Sequence, residues 1–285
     1  MFAITQWLWP KLEGHQSFWT WVTDWCTTRE DYFAGTVIEG EREPGKFVAS
    51  LPCYIRLEKD FGEPLESRLE VELSPAERKI YDSLEATMIA YLNDNPLIVK
   101  LPVTKRLRLR QASLGEIGYD QVSDSVYFPP QMKSSKYDAL IGLLQDFYDE
   151  PALILTHSAK YALTVAYKMK TSGYKVALWS GEVTPTDRDI IKDKFVNGEL
   201  DYIVATIASI GEGTDGLQYR SRLMIWLSRE DSMMLNEQAF RRLHRRGQTR
   251  TVLSIDIVAL NTYDDGQLSV LMQRALDMNR SLKND

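Results

Sequence analysis

From residue 151 onward, short apolar runs alternate with amphipathic stretches at the spacing of parallel βαβ units, and this alternation narrows the fold more than any other feature of the chain. ALILT (152 to 156) reads as a buried strand and leads into a helix from about Ala159 to Ser172, stopped by Gly173. YKVALWS (174 to 180) is a second strand. The next helix carries its own start and stop signals: Thr184 as cap, Pro185 at the first helical position, Asp187 completing a capping-box-like pattern, then Asn197 and Gly198. Strands at 201 to 206, 222 to 227 and 251 to 260, and a final helix from about Asp265, complete a parallel sheet flanked by helices.

The segment before residue 130 has a different texture. Five of the seven tryptophans (Trp7, Trp9, Trp19, Trp21 and Trp25) fall within the first 25 residues, and SFWTWVTDW (17 to 25) reads as an aromatic helix or a packed irregular segment, supplying core area rather than base stacking. LSPAERKIYDSLEATMIAYL (73 to 92) predicts a helix capped by Ser74, opened by Pro75 and boxed by Glu77, with Ile80, Leu84, Met88 and Tyr91 along one face. A further helix is expected over 100 to 115, where Lys105, Arg106, Arg108 and Arg110 form either a solvated face or a contact surface for DNA. These readings divide the chain into a mostly helical, aromatic-rich segment at 1 to 130 and an α/β domain at 131 to 285.

Composition bounds the function classes. With 285 residues and 44% apolar content the chain can bury a good-sized core, and a net charge of −6 supplies no global attraction to nucleic acid, so any such contact must come from local patches. Cys26, Cys53 and the three histidines (His15, His157 and His244) form no ligand pairs, which argues against a zinc site or a disulfide framework. No stretch approaches the about 18 consecutive apolar residues of a membrane span, and the first residues lack the pattern of a secretion leader, so an intracellular protein, cytoplasmic or nucleoid-associated, is expected.

The most specific stretch is QAFRRLHRRGQ (238 to 248). Ser232 can cap a helix that Gly247 stops in a left-handed turn, and within it Gln238, Arg242 and Arg245 fall at i, i+4 and i+7, on one face. Arginine is the residue type suited to planar phosphate oxygens while charge builds during phosphoryl transfer. A solvated basic helix, or one lying along a nucleic-acid backbone, is the alternative. Upstream, DYIVATIASIGEGTDGLQ (201 to 218) is a strand running into a loop with Gly211, Gly213 and Gly216, followed by the strand RLMIWLS.

These three stretches together resemble the fifth and sixth motifs of superfamily 2 helicases, and the QA..R.HR.GQ spelling resembles the Swi/Snf-type DNA translocases, with Gln248 in place of the arginine usual in the RNA helicases. FGEPLESRLEVELSPAERKIYDSLE and TKRLRLRQASLGE resemble the helical region that this family inserts between its two RecA-like lobes. The resemblance implies a RecA-like second lobe, with Arg245 as arginine finger, Arg242 as its phosphate-gripping companion, Gln238 as the leading glutamine, and Gly213 and Asp215 on the loop that couples the nucleotide cleft to DNA. It also implies a DNA track along His157, Ser158, Ser180, Gly181 and Thr206, all just after the carboxyl ends of parallel strands, where open α/β sheets present ligands.

No G-x-x-x-x-G-K-[ST] occurs, and no strand ends in Asp-Glu that could hold magnesium. In the family both lie in the first lobe. The chain is therefore expected to be the C-terminal half of a longer ATP-driven DNA translocase or helicase, as a fragment or a second subunit, with ATP and Mg2+ held by the missing first lobe and duplex or branched DNA as partner. No metal is expected on this chain and no membrane partner. An RNA-directed helicase half and a non-catalytic binding module are the alternatives.

Overall fold

The computed structural model describes residues 17–31, 35–43, 45–51, 62–87, 89–92, 95–98, 102–211 and 214–282. Two compact units are present, one of residues 1–58 with 271–285 and one of residues 59–270. In the smaller unit, helix α1 (Phe18–Trp25) is capped by the Ser17 hydroxyl and leads directly into an antiparallel hairpin of β1 (Cys26–Asp31) and β2 (Gly35–Glu41), followed by the single turn α2 (Lys46–Ala49). Phe47 is buried with Trp21 and Trp25 edge-on to it, each ring centroid 5.2 Å away. Those two tryptophans therefore pack, as the aromatic content suggests; Trp7 and Trp9 lie outside the described residues.

The larger unit is built on a six-stranded parallel sheet. Its strands are β3 (Leu65–Val71), β8 (Ala152–Thr156), β9 (Val176–Trp179), β10 (Tyr202–Thr206), β11 (Leu223–Trp226) and β12 (Leu253–Ala259), in the order β3-β12-β11-β8-β10-β9. From β8 the chain skips outward to β9 at the edge, returns to β10 beside β8, then crosses to the other side for β11 and β12. The carboxyl ends of β8, β10 and β11 thus meet where the strand order reverses, the usual ligand edge of such sheets. Helices α5 (Ser135–Asp146), α6 (Ala159–Thr171), α7 (Pro185–Val196), α9 (Met233–Phe240) and the part of α10 (Tyr263–Leu282) up to residue 270 supply the flanking layers.

Period-two alternation fills both faces of the sheet. Ile154, Val204 and Ile225 point into one core with Tyr161, Ala162 and Val165 of α6; Leu153, Leu155, Ile203, Ala205, Met224 and Trp226 point into the other with Phe195 of α7 and Ala239 of α9. Truncating one of these, such as Ile154→Ala, should cost about 2–5 kcal/mol, since the packed neighbours collapse only in part.

Three expectations are corrected. The stretch at 61 to 73 is not all helical: Leu65–Val71 forms an edge strand parallel to β12, with Leu69 and Val71 packed against the core, in register from Leu65↔Leu253 to Val71↔Ala259. The helix expected to reach residue 92 is α3 (Pro75–Thr87), and it ends early because Ile89–Leu92 (β4) pairs with Asn95–Ile98 (β5). Ile89 and Tyr91 are stiff, strand-favouring residues followed by Asn-Asp-Asn-Pro, so Tyr91 lies in a hairpin and not on a helix face. Third, the helix expected to run to Gly247 stops at Phe240, where α9 ends.

The other start signals hold. Ser74 and Glu77 form a reciprocal capping box at α3, and the buried Glu77 carboxylate also accepts the amide and hydroxyl of Ser135 at the start of α5. Thr184 caps α7 through the amide of Asp187. The basic run lies on α4 (Pro102–Ala112), as expected, and is followed by a short antiparallel hairpin of β6 (Gly118–Asp120) and β7 (Ser125–Tyr127).

Candidate functional site

The residues from Arg241 to Gly247 form a sequence of tight turns, not a helix: the Arg242 amide donates to Ala239, Leu243 to Phe240 and Arg245 to Leu243. The i, i+4, i+7 geometry therefore does not apply beyond Phe240. Arg242 and Arg245 nevertheless converge, because tertiary contacts aim them. Leu243 and His244 are buried and fix the turn, while Arg242 and Arg245 reach the loop that follows β10 and the short α8 (Ile207–Ile210).

Arg242 is held on three carbonyls: Nε donates to Gln238 at 3.3 Å, Nη1 to Thr214 at 2.6 Å and Nη2 to Gly211 at 2.8 Å. Burial, and then the neighbouring Arg245 guanidinium, pull its pKa below the usual arginine value. Arg245 is held more loosely, with Nη1 3.4 Å from the Thr214 carbonyl and 3.3 Å from Asp215 Oδ1, and its side chain is 34% exposed. Asp215 is kept well ionised, first by a hydrogen bond from Gln218 and then by Arg245 and the Gly216 amide. Gln238 lies against Gly211, at 3.5 Å from where a Cβ there would stand. Gly213 lies outside the described residues.

Gly247 is required twice over. Its φ of +94° is left-handed, and an added Cβ would stand 2.8 Å from the Tyr219 ring, a side chain that is itself 67% exposed. Gln248 Nε2 donates to the Ser221 carbonyl at 2.8 Å, bracing the turn before β11.

The strip at the strand ends is present, and its hydroxyls have local partners. Ser158 caps α6 through the Tyr161 amide. Thr206 Oγ1 shares a 2.6 Å hydrogen bond with Ser209 Oγ, and Ser209 also donates to the Trp179 carbonyl. Ser180 is buried and receives the Glu182 amide on Oγ and Arg188 on its carbonyl. Gly181 is exposed with open space where a Cβ would be. His157 binds Ser228 Oγ through both its amide and Nδ1 (2.7 Å), while its Nε2 is sealed from solvent with no hydrogen-bond partner. Burial first, then Arg110 and Lys136, depress its pKa to about 3, so the ring is neutral at physiological pH.

The cations of the basic run on α4 are paired, with Arg108 and Arg110 buried and Arg106 half exposed. Arg110, only 10% exposed, binds Asp231 at 3.1 Å, the Arg229 carbonyl at 3.0 Å and Glu230 at 3.5 Å. Arg106 binds Asp231 at 2.9 Å and donates to the Tyr263 hydroxyl at 2.6 Å, Arg108 is buried against Gln111, and Lys105 reaches the Glu85 carbonyl. Burial alone would raise the Asp231 carboxyl; Arg110, with hydrogen bonds from Arg106 and Tyr263, holds it below its ordinary value. The acidic run after β11 is the partner that sequence reading missed, and its charge, opposite to that of α4, was the available signal.

Residues 135–247 match the helicase conserved C-terminal domain. An ATP-dependent RNA helicase RhlB of Xanthomonas axonopodis pv. citri is 29% identical over 100 residues, which are 35% of this chain and 17% of that protein. A SWI/SNF-related matrix-associated actin-dependent regulator of chromatin, subfamily A member 3-like 1, of Arabidopsis thaliana is 26% identical over 156 residues, 53% of this chain and 18% of that protein. The chain thus spans about a fifth or less of the curated relatives it matches. Among solved structures, the C-terminal part of the Fun30 ATPase domain aligns with TM-score 0.58 and 16% identity, covering 74% of this chain and 89% of that one. The Sulfolobus solfataricus SWI2/SNF2 ATPase core in complex with dsDNA aligns with TM-score 0.55 and 18% identity, covering 77% and 46%.

Proposed function

We propose that this chain, whose residues 135–247 are a helicase conserved C-terminal domain on a second-lobe fold like that of Swi/Snf-type ATPases, works as the second RecA-like lobe of an ATP-driven DNA translocase. The observation that carries the reading is the meeting of Arg242 and Arg245 on the loop after β10. A polyanion is the natural occupant beside them: two guanidinium groups share one acidic neighbour, Asp215, and Arg245 is about a third exposed and only weakly held. ATP with Mg2+ would supply the γ-phosphate whose charge the arginine offsets, and the magnesium and P-loop belong to a first lobe, in the same polypeptide or a separate subunit.

Within this reading the two arginines divide the work. Arg242, bound to three carbonyls, fastens Gly211 and Thr214 to the turn and so positions Asp215 and Arg245. Arg245 is the finger, because leaving a 3.3 Å ion pair at the surface costs little. The segment before residue 130 serves as the inter-lobe region, with Leu65–Val71 contributed from it to the edge of the lobe's sheet. The DNA track runs along the carboxyl ends of β8, β9 and β10, where the open space at Gly181 lets a phosphate approach the backbone without bases being read. The hydroxyls of Ser158, Ser180 and Thr206 shape those loops from beneath, and His157 locks the end of β8 to Ser228.

An RNA-directed enzyme is the second reading, favoured by the RhlB relative. One experiment tests both: ATP hydrolysis by this chain alone, and with a P-loop lobe supplied in tandem or in trans, with duplex DNA or RNA added. The expected outcome is no hydrolysis alone and DNA-stimulated turnover with the added lobe. Robust hydrolysis by residues 1 to 285 overturns the half-site reading, and stimulation by RNA alone selects the second one.

A further inference from the structure

We propose that His244 is a positioning residue that ties the chain leading into the sheet at β3 to the turn carrying Arg245, so that the placement of that lead-in segment sets the placement of the finger. The proposal rests on the reading of Arg245 given above, and extends it to a residue with no role there. His244 is buried, although Arg241, Arg246 and Gly247 in the same turn are exposed. Its Nε2 lies 2.9 Å from the carbonyl of Gly62, three residues before β3. The bond requires the proton on Nε2, since a carbonyl can only accept. A second stitch lies close by: the Leu65 amide donates to the Val252 carbonyl at 2.8 Å, just before β12. The segment from 62 to 65 is thus fastened at two points to the stretch from 244 to 252.

The far side of the imidazole is fixed by Phe240, the last residue of α9, whose ring centroid is 5.1 Å away at a 42° tilt. The His244 amide also donates to the Phe240 carbonyl at 3.1 Å. The ring is therefore wedged between the end of α9 and the lead-in segment. Arg245 follows it directly in the chain and has weak contacts of its own, whereas Arg242 is fixed by three carbonyls. Of the two arginines, only Arg245 depends on its backbone anchor for its position, and that anchor is His244. A bound partner or lobe motion that shifts residue 62 is transmitted through one hydrogen bond to the finger.

Two arms test this. In the first, hydrogen exchange is measured on this chain for His244→Ala and His244→Gln, the glutamine keeping an N–H donor near the position of Nε2. The alanine variant should exchange faster in peptides covering both 62–67 and 243–252, with protection largely restored by glutamine. Unchanged exchange at 62–67, or equal loss in both variants, overturns the tie. In the second, the same variants are assayed in the two-lobe enzyme. Misplacing a catalytic group by a fraction of its reach should lower kcat about tenfold to a hundredfold in His244→Ala, with KM for ATP within about twofold and kcat recovered by glutamine. An unchanged kcat overturns the positioning role even if the exchange arm succeeds. If Arg245→Ala hydrolyses normally in that enzyme, the function reading fails instead, and the exchange arm still decides the tie.

Discussion

Replacing Arg110 by methionine keeps the length of the side chain and removes its charge, and the structure sets the cost. The guanidinium is 10% exposed and serves Asp231, Glu230 and the Arg229 carbonyl. Removing one partner of a buried ion pair costs about 3–5 kcal/mol when the other is stranded. Asp231 is not fully stranded, because Arg106, the Tyr263 hydroxyl and Gln267 remain and its side chain is 35% exposed. Glu230, whose carboxyl burial already pushes up, loses the arginine that opposes that rise and takes up a proton more readily. The expected loss is therefore about 2–3 kcal/mol, at or just below the bottom of that range. For a folding unit of this size that corresponds to a Tm fall of roughly 4–12 °C, read by calorimetry or urea titration. Arg106→Ala, at a side chain 52% exposed, should cost only about 0–1 kcal/mol. An unchanged Tm for Arg110→Met, together with weakened DNA binding, would refute the clamp and return α4 to the role of a DNA-facing surface.

Three further outcomes follow from the same contacts. His157 is a base whose folded pKa, about 3, lies below the ordinary histidine value of 6.5, so on acidification the unfolded chain takes the proton first: its contribution is complete above about pH 6.5 and is lost as pH falls toward 3. Stability should therefore drop by up to about 1.4 kcal/mol per pH unit in that window, and His157→Asn should flatten the slope in pH-dependent urea titrations; an unchanged slope contradicts a buried neutral ring. Gly181→Asp should leave Tm unaltered and weaken binding to every DNA sequence alike, with salt-dependent affinity measured by anisotropy; indifference to the charge, or to salt, removes Gly181 from the track. Gly247→Ala should destabilise by at least about 1–2 kcal/mol from the left-handed backbone alone, and adding Tyr219→Ala should recover only the steric part; full recovery by the double variant means that the backbone conformation is not the cause.

The parallel sheet was readable because β8 to β11 are continuous or nearly continuous apolar runs with turn signals around them, and Thr184 and Ser74 mark the starts of α7 and α3 with specific local chemistry. What escaped reading depends on contacts distant in sequence. Leu65–Val71 is an edge strand with one wet face, so Glu66, Arg68 and Glu70 dilute its pattern, and only pairing with β12, more than 180 residues later, makes it a strand. The arginine stretch has the composition of a helix, yet burying Leu243 and His244 and fastening Arg242 to Gly211 and Thr214 outweigh the propensity of the residues after Phe240. The convergence of Arg242 and Arg245 was thus legible from the motif, whereas the turn geometry that produces it was not. The charges of α4 posed the same problem: sequence shows four cations, and only the fold brings Glu230 and Asp231 to two of them, Arg106 and Arg110.

The most direct test of the account is the steady-state ATPase rate of Arg245→Ala in the two-lobe enzyme, with Arg242→Ala and Arg246→Ala beside it and Tm recorded for each. Arg245→Ala should lose about 10³ or more in kcat at unchanged Tm, the scale of a lost finger. Arg242→Ala should fall in both kcat and Tm, because three carbonyls lose their donor, and the exposed Arg246→Ala should keep its rate. A crippled Arg246→Ala beside a normally active Arg245→Ala would contradict the assignment.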